Sequence, residues 1–184
     1  NDSFGKALAI GHYLAKCSTY CPDKVVSFSS RPKLLTLGET PKIEWDYGYN
    51  YIAPKSDISV YQREIASMYT GDCSNTDFGA VMELLSKLDG DMPEYLVVLS
   101  DMEFDRGSRT SKDATMKLFK SKGYNTKIVW WNLNSRNITC PEMDADGNIF
   151  LSGYNPMLLK YLQVGFDSNA FLDKLLSEYS EAIK

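Results

Sequence analysis

The chain has 184 residues, 43% hydrophobic and 24% charged, with twelve Gly and seven Pro scattered along it. That composition excludes collagen-like, low-complexity and disordered classes and fits one globular domain that buries about two-thirds of its unfolded surface. The 20 Lys and Arg against 24 Asp and Glu leave a net charge of -4, a field that repels a phosphate backbone, so no direct nucleic-acid binding is expected.

Behind Asp2 and Ser3, the helical spacing of Ala7, Leu8, Gly11, Leu14 and Ala15 predicts an amphipathic helix over residues 3 to 18, with Gly11 and Ala15 suited to close packing on a sheet. Residues 24 to 30 (K-V-V-S-F-S-S) and 33 to 37 read as short strands joined through Arg31-Pro32 into an edge hairpin. Residues 38 to 57 form an irregular, aromatic-rich insertion. In it Trp45, Tyr47, Tyr49 and Tyr51 alternate with Glu44, Asp46, Gly48 and Asn50, which on an extended ribbon puts the four aromatics on one face. Such a face either binds a partner or packs on the protein's own sheet, and the adjacent Glu44 and Asp46 disfavour base stacking.

A helix is expected from about Ile58 to Tyr69. Another is opened by Asn75-Thr76-Asp77-Phe78-Gly79, with Thr76 or Asp77 as its cap, and carries Val81, Leu84, Leu85 and Leu88. Tyr95 to Leu99 (Y-L-V-V-L) has the continuous apolar character of a strand buried on both faces, broken abruptly by Ser100-Asp101. A helix from about Lys112 to Lys122, a strand from Lys127 to Trp131 ending at Asn132, and a short strand from Asn148 to Ser152 follow. Helices over Pro156 to Gln163 and Ser168 to Ile183 close the pattern.

Strands alternating with helices imply an α/β fold with a doubly wound, mainly parallel sheet, because parallel strands need crossover connections. Residues 1–184 read as a single domain. Such a sheet normally begins with a strand, yet this sequence opens on a helix, so the first strand is expected upstream. No apolar run approaches the roughly 20 residues of a membrane span and Asn1 to Ala15 carries no targeting pattern, so a cytoplasmic protein is expected.

Cys17, Cys21, Cys73 and Cys140 are too dispersed for a disulfide scaffold and read as buried or half-buried thiols of a reducing compartment. A four-thiolate zinc site is disfavoured because the second pair lacks short ligand spacing. His12, the single histidine, has no second imidazole for zinc or acid–base work and reads as structural or exposed.

Ligands of open α/β sheets bind outside the carboxyl ends of the strands, which singles out Thr76 before its helix and Asp101 after Leu99. A hydroxyl and a carboxylate are oxygen ligands of the kind Mg²⁺ takes in a shell that keeps several waters. The plainer alternative makes Thr76 an N-cap and Asp101 a turn residue. Asp101, Glu103 and Asp105 at alternate positions also suit two-metal phosphoryl transfer, but no phosphate-cradling glycine loop accompanies them, and Glu103 and Asp105 fit contacts to Arg106 and Arg109 better.

Asn75-Thr76-Asp77-Phe78-Gly79, Leu99-Ser100-Asp101-Met102-Glu103-Phe104-Asp105 and Ile128-Val129-Trp130-Trp131-Asn132-Leu133, in that order, resemble the von Willebrand factor A-like domain of an uncharacterised plant and phage family. That domain is similar to the A-domain of TROVE-module proteins such as the Ro autoantigen. The resemblance covers about Ser3 to Gln163 and implies a metal-ion-dependent adhesion site in a domain that forms the C-terminal part of a larger protein. In such a site Thr76 and Asp101 ligate Mg²⁺ or a similar divalent cation, Glu103 and Asp105 stand in an outer shell, and a partner's acidic side chain completes the coordination. The D-x-S-x-S loop that supplies the family's remaining ligands occurs nowhere in the 184 residues and is expected upstream with the first strand. The implied function is a metal-dependent protein-binding module, not an enzyme, within a ribonucleoprotein or phage–host assembly. A scaffold with a degenerate metal site and a metal-dependent phosphotransferase or nuclease are the alternatives.

Overall fold

In the computed structural model, the described residues are 3–29, 31–39, 59–68, 77–88, 92–100, 117, 119–121, 123–134, 142–165 and 167–182. Thr76, Asp101, Glu103 and Asp105, the aromatics Trp45, Tyr47, Tyr49 and Tyr51, and most of the helix expected over 112 to 122 lie outside them.

The two continuous apolar runs pair with each other. Strand β3 (Tyr95–Ser100) lies parallel to β4 (Lys127–Asn132), with Val97 opposite Val129 and Ser100 opposite Asn132. Strand β6 (Ile149–Ser152) lies parallel on the other side of β4, with Trp131 opposite Leu151. The two-residue β5 (Glu142–Met143) adds antiparallel to β6, giving the order β3-β4-β6-β5. The architecture is therefore α/β with a mainly parallel sheet, as the alternation implied.

Its core follows from the strand period of two. On β4, Val129 and Trp131 face one layer and meet Ile10, Leu151 and Leu158, while Ile128 and Trp130 face the other and meet Phe78 and Phe119. Helix α1 (Ser3–Cys17) supplies Ile10 and helix α4 (Pro156–Gln163) supplies Leu158. Helix α3 (Phe78–Ser86) supplies Phe78 to the opposite layer. Both faces of β4 are thus covered, and Ile128, Val129 and Trp131 are fully buried.

Two expectations are corrected. The β3 run is not buried on both faces: only Val98 is buried and its neighbours are half-exposed, because among the described residues β3 ends the sheet and has a ladder with β4 alone. The hairpin is shorter than its apolar pattern. It comprises β1 (Lys24–Val26) and β2 (Leu34–Thr36), paired antiparallel as a separate two-stranded sheet. Ser27 closes it early, since its amide donates to the Lys33 carbonyl at 2.9 Å and its hydroxyl accepts from the Lys33 amide at 2.8 Å.

Helix α1 packs on both β1 and β3 and so spans the two sheets. The small Gly11 permits this approach: a Cβ there would lie 3.0 Å from Met68 Cε and 3.6 Å from Leu99 Cδ1. On the opposite face Phe28, just beyond β1, meets Phe78 edge to face with ring centroids 6.1 Å apart. The hairpin and β3 therefore share covering side chains on both faces, with no ladder between them among the described residues.

Helix α2 (Val60–Ser67) begins in a capping box formed by Ser59 and Gln62. Helix α5 (Ser168–Ala182) leans on α4 through Tyr161 against Phe171 and a Lys160–Glu178 ion pair, leaving Leu172, Leu176 and Tyr179 exposed. Among the described residues no helix is long and apolar enough to cross a membrane.

Candidate functional site

Because β3, β4 and β6 run parallel, their carboxyl ends meet at one edge. Ser100 and Asn132 stand opposite each other there, and Asn132 stands opposite Ser152. The Leu133 amide donates to the Ser100 carbonyl and the Gly153 amide to the Asn132 carbonyl, both at 2.9 Å, so the ladder extends one residue past each strand. The buried Trp131 Nε1–H donates to the Gly153 carbonyl at 2.8 Å and holds the loop after β6 against the sheet. The Asn132 side chain accepts from the Asn134 amide at 3.0 Å and fixes the turn after β4.

The helix starts gather at the same edge. Lys6, in the first turns of α1, holds its ammonium 5.6 Å from the ring centroid of Tyr154, which follows β6. Phe4 and Tyr154 are both about half-exposed, so this rim presents aromatic surface beside a cation. Asn155 caps α4 by accepting from the Met157 amide at 2.9 Å. At the start of α3, Asp77 is the N-cap and accepts from the Ala80 amide at 3.1 Å. The next residue, Phe78, packs on Trp130 with ring centroids 5.0 Å apart.

The sequence-derived ligands adjoin these described positions. Asp101 follows Ser100, the last residue of β3, and Thr76 precedes Asp77, the first residue of the α3 cap. The cap role left open between Thr76 and Asp77 falls to Asp77. Among the described residues no group of three or more His, Cys, Asp and Glu side chains is arranged to hold a metal.

A polar cluster that the sequence did not signal joins α1 to α2. His12 Nε2 donates to Glu64 Oε2 at 2.7 Å, and Lys16 Nζ bridges Glu64 Oε1 at 2.6 Å and Asp23 Oδ1 at 2.8 Å. Tyr61 sets its ring edge-on to His12. The structural alternative for His12 is thus the one observed, its side chain being 14% exposed beside a Glu64 that is 13% exposed. Nothing in the sequence pairs these groups, because Glu64 lies 52 residues from His12.

Lys16 first, and His12 second, hold the Glu64 carboxyl below the usual carboxylate range. Asp23 and then Glu64 in turn raise the Lys16 ammonium above its usual value. A carboxyl depressed in the folded state stabilises it above the unfolded value of about 4.3, and that contribution is lost as pH falls through the folded value. The difference in thermal midpoint between the protein and its Glu64→Gln variant, present at about pH 6, is therefore expected to shrink below about pH 4. A difference constant across that range contradicts the assignment.

Two recesses lie away from the carboxyl edge. A cavity of about 380 Å³ at the opposite, amino edge of the sheet is lined by Glu94, Lys120, Lys127, Asp146 and Asn148 among others. Several of its polar groups are already satisfied. Thr126 donates to the Pro93 carbonyl at 2.7 Å, Lys120 pairs with Asp146 at 2.6 Å, and the Asn148 side chain bonds the Ile128 amide at 3.0 Å and Asp144 at 2.9 Å. A groove of about 290 Å³ between α1 and α2, lined by Leu8, Ala9, Ile65 and Ala66, is apolar and open.

No curated protein and no solved structure matches the chain. The model of a family described as a domain of unknown function, DUF7788, matches residues 3–178, and the chain belongs to that family.

Proposed function

We propose that the domain is a divalent-metal-dependent protein-binding module of the von Willebrand A type, and not an enzyme. The observation that carries the reading is the position of Ser100: it lies at the carboxyl edge of a parallel sheet, the edge at which open α/β sheets bind their ligands, and Asp101 is the next residue in the sequence. Thr76 supports it from a second loop, since Asp77 takes the capping duty that would otherwise account for a threonine there.

In this reading Thr76 and Asp101 would hold Mg²⁺, with Glu103 and Asp105 in an outer shell. Their oxygen donors suit a hard cation that keeps several waters. The bound cation would supply a Lewis-acid centre for a carboxylate on a protein partner, and Trp45, Tyr47, Tyr49 and Tyr51 would add aromatic contact area of the kind concentrated at interface hot spots. The remaining ligands would come from a D-x-S-x-S loop at the end of a strand seated between β1 and β3, ahead of α1. The shared cover of α1 on one face, and of Phe28 and Phe78 on the other, supports a strand in that position. The proposed setting is an intracellular, reducing compartment, within a ribonucleoprotein or phage–host assembly.

Titrating Mg²⁺ or Mn²⁺ into a chain lengthened at its N-terminus by its native upstream residues tests the reading, with Asp101→Ala as the variant. Saturable binding that weakens at least about tenfold in the variant supports it. Equal binding by both proteins favours the scaffold with a degenerate metal site.

A further inference from the structure

Helix α1 ends on Cys17, and the turn that returns the chain to β1 contains Cys21. Cys17 is exposed and Cys21 half-exposed, and both thiols are free. Two hydrogen bonds shape the turn. The Cys21 amide donates to the Ser18 hydroxyl at 3.1 Å, and the Asp23 amide reaches back to the Ala15 carbonyl at 3.0 Å. The second closes residues 15–23 into a loop, and the Lys16–Asp23 ion pair at 2.8 Å clamps the same closure. Asp23 completes the reversal in the left-handed region at φ 60°, a conformation that aspartate tolerates better than most residues.

Cys17 and Cys21 stand two residues inside this closure from either side, on the two arms that the bond draws together. A disulfide needs Cα atoms within about 7 Å, and the bonded closure of residues 15–23 favours such an approach of the two cysteines inside it. We propose that Cys17 and Cys21 form a reversible redox clasp on the joint between α1 and β1, with hydrogen peroxide or a related hydroperoxide as the oxidant.

The exposed Cys17 reacts first. Its thiolate attacks one peroxide oxygen, the O–O bond breaks, and the released hydroxide takes a proton to leave as water, giving a sulfenic acid on Cys17. The Cys21 thiolate then attacks the Cys17 sulfur, the S–O bond breaks, and a second hydroxide leaves as water. Two thiols have lost two protons and two electrons, and the peroxide has been reduced to two waters.

Trypsin cuts after Lys16 and Lys24, so one peptide, residues 17–24, carries both cysteines and reports the bond directly. After brief peroxide treatment of the whole chain and alkylation of the remaining thiols, most of this peptide is expected about 2 Da lighter than its reduced form, without alkyl groups and restored by dithiothreitol. In Cys21→Ser the same treatment is expected to carry Cys17 on to the sulfinic acid, and in Cys17→Ser to leave Cys21 a thiol. A wild-type peptide that stays reduced, that gains oxygen on Cys17 without the lighter species, or that is cross-linked to Cys73 or Cys140 overturns the proposal.

Discussion

Replacing Trp131 by alanine is expected to lower the unfolding free energy by about 3–5 kcal/mol. Trp131 is fully buried in the central strand, packed among Ile10, Leu151 and Leu158, and its indole N–H is held by the Gly153 carbonyl. Truncation to Cβ removes the ring's contacts and leaves a cavity that the flanking strands β3 and β6 cannot both close, since each is fixed in register to β4. For a domain stable by about 5–15 kcal/mol this is a large fraction of the total. Trp131→Phe keeps most of the ring volume and gives up the hydrogen bond, so a smaller loss of about 1–3 kcal/mol is expected. Urea unfolding followed by circular dichroism measures both, and Leu176→Ala on exposed α5 serves as the reference, with a change within about 0.5 kcal/mol. A Trp131→Ala loss no larger than that of Leu176→Ala contradicts the placement of the core.

A comparable gain is expected from the strand proposed between β1 and β3. A chain lengthened by native upstream residues that lay a strand there is expected to unfold with about 5 kcal/mol more free energy and a steeper denaturant slope. The gain has two sources. Leu96 to Leu99 acquire a second ladder partner, and half-exposed Val97 and Leu99, packed against the α1 layer, become buried on both sides as Val129 and Trp131 already are. The Gly11 approach to Leu99 marks how closely α1 covers that position. Equal midpoints and slopes for the two chains contradict a strand in that place.

The sequence was most legible where an element is apolar on both faces or carries a full helical stripe. K-I-V-W-W announced β4, and the spacing of Ala7, Gly11, Leu14 and Ala15 announced α1, because period and composition agreed there. Strand β5 was not legible: Glu142 and Met143 are both exposed, and their pairing to β6 is a backbone event without an apolar signature. The extent of β1 was misjudged because the Ser27 hydroxyl takes the Lys33 amide that a ladder gives to a backbone carbonyl, a choice that β-propensity does not encode. For β3 the side chains told which residues can be buried but not whether the strand has a neighbour on each side, which is a property of the whole sheet.

The candidate site was legible in the same partial way. The Asn75 to Gly79 run marked a helix start, which the Asp77 cap of α3 bears out, and the apolar run before Ser100-Asp101 marked β3, which is described as far as Ser100. Which of Thr76 and Asp77 caps the helix depended on which side chain reaches the Ala80 amide, and that was open until the backbone was placed. The His12, Lys16 and Glu64 cluster was invisible because its members meet only through the docking of α2 on α1.

The most direct test of the central claim is isothermal titration of Mg²⁺ into the N-terminally lengthened chain, beside the same chain carrying Asp101→Ala. A single saturable site is expected in the first and binding at least about tenfold weaker in the second. Magnesium binding that is absent from both, or unchanged by the substitution, contradicts a metal-dependent site at the end of β3.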